Sequence, residues 1–185
     1  KTLARAGIVH RLDKETSGLL VVARTDRSRL ALIEQLQERS VAREYLAVVC
    51  GVLVSGGTVD APIGRHPTQR TRMAVTAQGK PAASHYRVVT RYRAHTLVRV
   101  SLESGRTHQI RVHMAHVHYP VVGDPVYGGR LKLPKGCSDA LATALRGFRR
   151  QALHATRLGL THPTTGEELS WARPMPEDMQ QLVDE

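Results

Sequence analysis

Apolar and polar residues follow two rhythms along this chain, and the rhythm changes at turn residues. Val98, Val100 and Leu102 alternate with Arg99 and Ser101, the period of a strand with one face in a core. Similar patterns predict strands over 44–49, 70–76 and 83–91, and a closing pair over 153–161 and 168–171 across Pro163-Thr164-Thr165-Gly166. Leu19 to Ala23 is a short continuous apolar run and predicts a buried strand. Leu30, Ile33 and Leu36 are spaced in threes and predict a helix over 26–38, packed on the sheet behind that strand. Ile110, Met114 and Val117 predict a second helix over 107–118, ended by Tyr119-Pro120. A third is predicted over 138–150 and a last acidic turn of helix over 178–185. Glycine-containing stretches at 54–58, 78–81, 123–125 and 128–129 read as turns. Strands outnumber helices and most strand links are short. The expected class is therefore α+β, a mixed and mostly antiparallel sheet with a few packed helices.

Composition narrows this picture. At 185 residues and 41% apolar, the chain can build one core, and it shows no internal repeat or second-domain boundary. No apolar run approaches a membrane span, and no secretory signal pattern opens the sequence. Cys50 and Cys137 are far apart and make neither a CxxC pair nor a disulfide framework, so a reducing, cytoplasmic setting is expected.

Charge says more. Lysine and arginine number 27 against 16 acids, a net charge of +11. Such an excess implies a polyanionic partner, and nucleic acid fits better than a membrane because no basic amphipathic helix is evident. Between Asp60 and Glu103 there is no acid, while Arg65, Arg70, Arg72, Lys80, Arg87, Arg91, Arg93 and Arg99 fall inside that interval. Like charges repel unless something neutralises them. On hairpins and loops these arginines would reach RNA phosphates, which give affinity but little sequence information. Aromatics are few, with one Trp, one Phe and five Tyr. That favours a folded stem-loop, recognised by shape, over an unstructured strand that needs stacking platforms.

The candidate chemistry sits in His10-Arg11-Leu12-Asp13-Lys14-Glu15-Thr16-Ser17-Gly18-Leu19. A polar loop set on a strand is held rigidly, as a reactive side chain needs. Asp13 stands between Arg11 and Lys14, cations that would keep it ionised. An aspartate before a strand is, however, more often only a turn residue. His108, His113, His116 and His118 cluster densely, but no carboxylate or cysteine partner is near and there is no HExxH, so polar helix histidines are favoured over zinc.

These motifs resemble the pseudouridine synthases of the RluA class. The loop is similar to the class signature, whose catalytic aspartate falls on Asp13. Arg43-Glu44-Tyr45-Leu46-Ala47 resembles the segment carrying the active-site tyrosine, here Tyr45. Ser104-Gly105-Arg106-Thr107-His108-Gln109-Ile110-Arg111 resembles the third motif, with Arg111 as the partner of the aspartate. Gly123-Asp124-Pro125-Val126-Tyr127-Gly128 extends the likeness. Arg65-His66-Pro67-Thr68 and Arg150-Gln151-Ala152-Leu153-His154-Ala155 look most like the members that act on large-subunit ribosomal RNA.

The resemblance implies the pseudouridine synthase fold, with 1–185 as its catalytic domain, and an upstream strand and helix that this chain does not contain. Many members also carry a small S4-like RNA-binding module, likewise outside this sequence. It implies isomerisation of uridine in an rRNA stem-loop by a monomer, with no metal, no small-molecule cofactor and no membrane. Asp13 would attack the sugar or abstract one of its protons, and Tyr45 would position the base. Leu20 and Ile110 would wall the pocket. Arg11 would fill the space of a flipped-out uridine. Arg65, Arg70, Arg72, Arg106 and His108 would face RNA. Two other classes compete with this reading: a non-catalytic RNA-binding module, for which Asp13 is dispensable, and a metal-dependent hydrolase built on the histidines.

Overall fold

The computed structural model describes residues 4–185. Its elements, in chain order, are β1 (Ser17–Gly18), α1 (Asp26–Gln37), β2 (Ala42–Cys50), β3 (Gly57–Asp60), β4 (Ile63–Arg65), β5 (Met73–Val75), β6 (Ala83–Arg91), β7 (His95–Leu102), α2 (Gln109–His116), α3 (Asp139–Gly147), β8 (Leu153–Thr161), β9 (Glu168–Ala172) and α4 (Glu177–Asp184). Seven strands form one sheet in the order β1-β8-β2-β7-β6-β3, with β9 also paired to β8. Every pairing in it is antiparallel except β1 with β8. β4 and β5 make a separate two-stranded ribbon. The architecture is α+β.

The central strands are those with the strongest apolar patterns. Val48, Val49, Val98, Val100 and Leu153 pack with Met114 of α2, Leu145 of α3 and Met179 of α4 in the main core. Leu158 and Leu160 lie further along β8, past the shift in its register with β2 between Ala155 and Arg157. There they pack with Leu32 of α1 in a second cluster. A third cluster joins Ile63 of β4 to Val112 of α2 and to Tyr127. Thr25 and Ser138 cap α1 and α3 by accepting the backbone N–H three residues on.

Two expectations need correcting. Leu19 to Ala23 is not a continuous buried strand. Only Ser17 and Gly18 pair with β8, and Val22 makes a single bridge to Ile8. Leu19 and Val21 lie against the α1 cluster while Leu20 and Val22 face outward, so only one face of the run is covered. The strand expected over 70–76 shrinks to Met73–Val75. β3 and β4, of four and three residues, are too short to leave a pattern.

Candidate active site

The loop carrying Asp13 is fixed mostly from β8 and the residues just before it. Gly18 lies against Ala155 at φ +114°, and a Cβ there would fall 2.2 Å from the Ala155 carbonyl oxygen, so this position demands glycine. Gln151, fully buried, donates its amide to the Lys14 carbonyl at 2.7 Å and to Thr16 Oγ1 at 3.0 Å. Arg150 donates to the Glu15 carbonyl, and Ser17 Oγ meets His154 Nδ1 at 2.9 Å. The Thr16 N–H closes the turn onto the Asp13 carbonyl. At the loop's other end His10 Nε2 accepts the Val21 N–H at 3.0 Å. Burial, aided by Arg43, lowers the His10 pKa to about 4, which keeps that nitrogen an acceptor at neutral pH.

Gln151→Ala removes the clamp and leaves the Asp13 loop less well placed. The expected result is a loss of about 1–2 kcal/mol in stability and roughly tenfold in turnover with RNA affinity retained. Denaturation and steady-state kinetics check it, and unchanged turnover would contradict the clamp.

The first turn of α2 brings Arg111 to Asp13. Arg111 Nη1 donates to Asp13 Oδ2 at 3.2 Å. On its other edge, Nε and Nη2 bind the two Asp124 oxygens at 2.7 and 2.9 Å, a two-pronged pair. Burial alone would lower the Arg111 pKa, but the Asp124 and Asp13 bonds outweigh it and the value rises. Burial likewise opposes ionisation of Asp124. Arg111 and the Tyr127 and Val126 N–H groups reverse this and hold its pKa below the usual value. Asp13 therefore meets a cation whose direction is already set.

Tyr127 backs the pair. Its ring lies 5.1 Å from the Arg111 guanidinium carbon and 5.3 Å from that of Arg72. Its hydroxyl accepts the Met73 N–H and meets His108 Nδ1 at 2.8 Å. His108 sits before α2 at φ +58°, a left-handed position that costs a non-glycine residue about 1–3 kcal/mol. Burial lowers the His108 pKa against the pull of Asp13, which favours the neutral ring.

Asp13 and His108 border a cleft of about 380 Å³, within the range of small-ligand sites, and Arg111, Asp124 and Tyr127 stand behind them. Asp13, Tyr45, Arg11, Arg106, His108 and Ile110 all line it. Tyr45 lies where the pairing with β8 shifts register, with Thr156 of β8 as the extra residue, the kind of irregularity that re-aims a side chain. Burial raises its pKa.

The remaining expected site residues lie elsewhere. Leu20 is 43% exposed and does not wall the cleft, because the run after Gly18 turns that side chain outward. Arg65, Arg70 and Arg72 lie on or beside the β4–β5 ribbon, off the cleft. Arg72 is spent on Tyr127 and Gln69, and Arg65 on the Arg70 carbonyl. Arg11 and Lys14 are exposed, and the cation that touches Asp13 is Arg111. Three residues carry more than their sequence suggested. Asp124 read as a turn within a motif, Gln151 as part of another, and Arg43 as part of the segment around Tyr45, none with a role of its own.

Two of the four clustered histidines are occupied by protein groups. His113 is fully buried between Ser84 Oγ and the Ala61 carbonyl, and His108 is held by Tyr127. No group of three potential metal ligands occurs among the described residues. Asp13 is the one carboxylate lining the cleft among those residues. Asp124, the carboxylate on the far side of Arg111, has no exposed side-chain surface. The cleft thus offers a single carboxylate, held by an arginine, where hydrolytic glycosidases use two.

Residues 1–116 match the family described as RNA pseudouridylate synthase. The chain belongs to that family. It is 61% identical over 179 residues to the ribosomal large subunit pseudouridine synthase D of Xanthomonas campestris pv. campestris, covering 97% of this chain and 54% of that protein. The protein of the same name from Escherichia coli K12 is 59% identical over 180 residues, covering 97% and 55%. That of Pseudomonas aeruginosa PAO1 is 61% identical over 179 residues, covering 97% and 56%. The chain thus spans about half the length of the curated relatives it matches. Among solved structures, Human RNA Pseudouridylate Synthase Domain Containing 4 superposes with a TM-score of 0.73 at 27% identity, covering 95% of this chain and 75% of that one. Human RNA Pseudouridylate Synthase Domain Containing 1 gives a TM-score of 0.70 at 29% identity, covering 90% and 67%. The pseudouridylate synthase match ends at His116, so it takes in Asp13, Tyr45 and Arg111, while Asp124 and Gln151 lie beyond it.

Proposed function

We propose that this pseudouridylate synthase chain converts uridine to pseudouridine in large-subunit ribosomal RNA, with Asp13 as its catalytic carboxylate. The observation that carries the reading is the 3.2 Å contact of Arg111 with Asp13, the one carboxylate of the cleft among the described residues. The reaction breaks the N1–C1′ bond, turns the uracil and joins C5 to C1′. C5 gives up a proton and N1 gains one, so nothing is oxidised and no water is added. One ionised carboxylate serves the first step, at C1′ as nucleophile or at the C2′ proton as base. Arg111 holds and aims Asp13, and Tyr45 packs against the base. The substrate class follows the printed names of the relatives. The folded stem-loop follows the net charge of +11 and the scarcity of aromatics. The chain acts as a monomer in the cytoplasm. Among the described residues no helix is long and apolar enough to cross a membrane.

A stacked uridine hides C1′, so the base must flip out, at a cost of a few kcal/mol. Arg11 is exposed on the cleft wall and takes the vacated place in the stem-loop. Arg11→Ala is expected to slow turnover about tenfold more on folded RNA than on an unstructured oligonucleotide. Equal losses on both would end this role. The substrate class is tested by treating large-subunit and small-subunit rRNA transcripts with the chain and mapping pseudouridine in each. Conversion confined to the large-subunit transcript is expected, and conversion confined to the other contradicts it.

A further inference from the structure

The cleft is lined by a buried arginine, Arg43, in the opposite electrostatic state from Arg111 behind Asp13. Arg43 of β2 is 7% exposed, against 4% for Arg111. Arg111 meets two carboxylates. Arg43 meets none, and its Nε has neither accessible surface nor a hydrogen-bond partner among the described residues. Burial pushes the Arg43 pKa below its ordinary value. A buried charge without a partner is costly and calls for an explanation, one being a group that arrives to pair with it.

The surroundings say what arrives. Arg5, Arg11, Arg43 and Arg106 all line the cleft, against Asp13, which Arg111 already pairs. The cleft is therefore cationic. Gly105 keeps the wall open beside Arg43, since a Cβ there would lie 2.8 Å from Nη1. A uridine offers two kinds of oxygen to such a site. Its base carbonyls are neutral while the base is attached, and the phosphodiester beside it carries a full charge. A planar guanidinium suits phosphate by two-pronged bonding.

We propose that Arg43 is a phosphate-binding residue that receives the non-bridging oxygens of a phosphodiester next to the flipped-out nucleotide. The assignment rests on the reading of this cleft as the uridine-isomerising site. It makes Arg43 a group whose burial weakens the free protein and whose pairing is completed by RNA.

The test compares wild type with Arg43→Met and Arg43→Gln in thermal melts without RNA, in binding of large-subunit rRNA transcript across a salt series, and in turnover. The neutral variants are expected to melt at or above the wild-type temperature. They bind the transcript about tenfold more weakly, and the slope of log affinity against log salt is shallower by about one phosphate contact. KM rises while kcat is kept. Three results would overturn the assignment: failure of both variants to fold, unchanged RNA affinity, or a fall in kcat with KM and salt slope unchanged, which would place Arg43 against the base. If wild type binds RNA without converting uridine and the variants still lose affinity and slope, the synthase reading fails while the phosphate contact stands.

Discussion

Asp124→Asn is expected to destabilise the protein by about 3–5 kcal/mol, the usual consequence of breaking a buried ion pair from one side. Asp124 Oδ2 accepts Arg111 Nε, and Oδ1 accepts Arg111 Nη2 with the Val126 and Tyr127 N–H groups. An asparagine can keep its oxygen at the crowded position only by turning its NH2 toward Arg111 Nε–H. Two donors then face each other where the native bond measures 2.7 Å. Arg111 also loses one of its two negative partners while remaining buried. Against a typical total of about 5–15 kcal/mol, such a loss is large. Chemical denaturation should show a lower midpoint with an unchanged slope, and a loss below about 1 kcal/mol would contradict the description. The pH dependence has a definite sign. The folded Asp124 pKa is depressed, so its contribution is complete above about pH 4 and is lost as pH falls through the folded value. The gap between wild type and Asp124→Asn should therefore narrow in acid.

The two sides of this site were unequally legible in the sequence. β6 and β8 have the bounds that the apolar pattern predicts, 83–91 and 153–161, and each sits inside the sheet. α2 misled in an instructive way. Ile110 and Met114 mark a buried stripe, but Gln109, Arg111 and His113 are buried too. Their partners lie at Ala83, Asp13, Asp124, Ser84 and Ala61, scattered along the chain where no periodicity reaches. Asp124 is a case of the same kind. An aspartate between glycine and proline satisfies a turn on its own, so nothing local reveals that it is fully buried against Arg111. Leu20 erred the other way. An apolar residue in an apolar run reads as inside, yet only alternate positions of that run are covered. Asp13, Tyr45 and Arg111 were legible through motif likeness. That Asp13 and Tyr45 meet at one cleft follows from β8 lying between β1 and β2, with Ala155 opposite both Gly18 and Tyr45, and α2 then brings Arg111 to Asp13.

Asp13→Asn is the counterpart of Asp124→Asn, large in activity and small in stability. Arg111 keeps its two-pronged bond to Asp124, so the fold retains a paired cation. Asparagine fills the same volume and still offers an oxygen to Arg111 Nη1. It can neither form an ester at C1′ nor take a proton from C2′. Loss of a positioned base costs about 10²–10⁴-fold, and loss of a nucleophile more. The most direct test treats large-subunit rRNA transcript with wild type and with Asp13→Asn and maps pseudouridine by mass, with RNA binding measured on both. Pseudouridine with wild type, none with the variant, and equal binding by the two is the expected result. Pseudouridine formed equally by both proteins would contradict the assignment of Asp13 as the catalytic carboxylate.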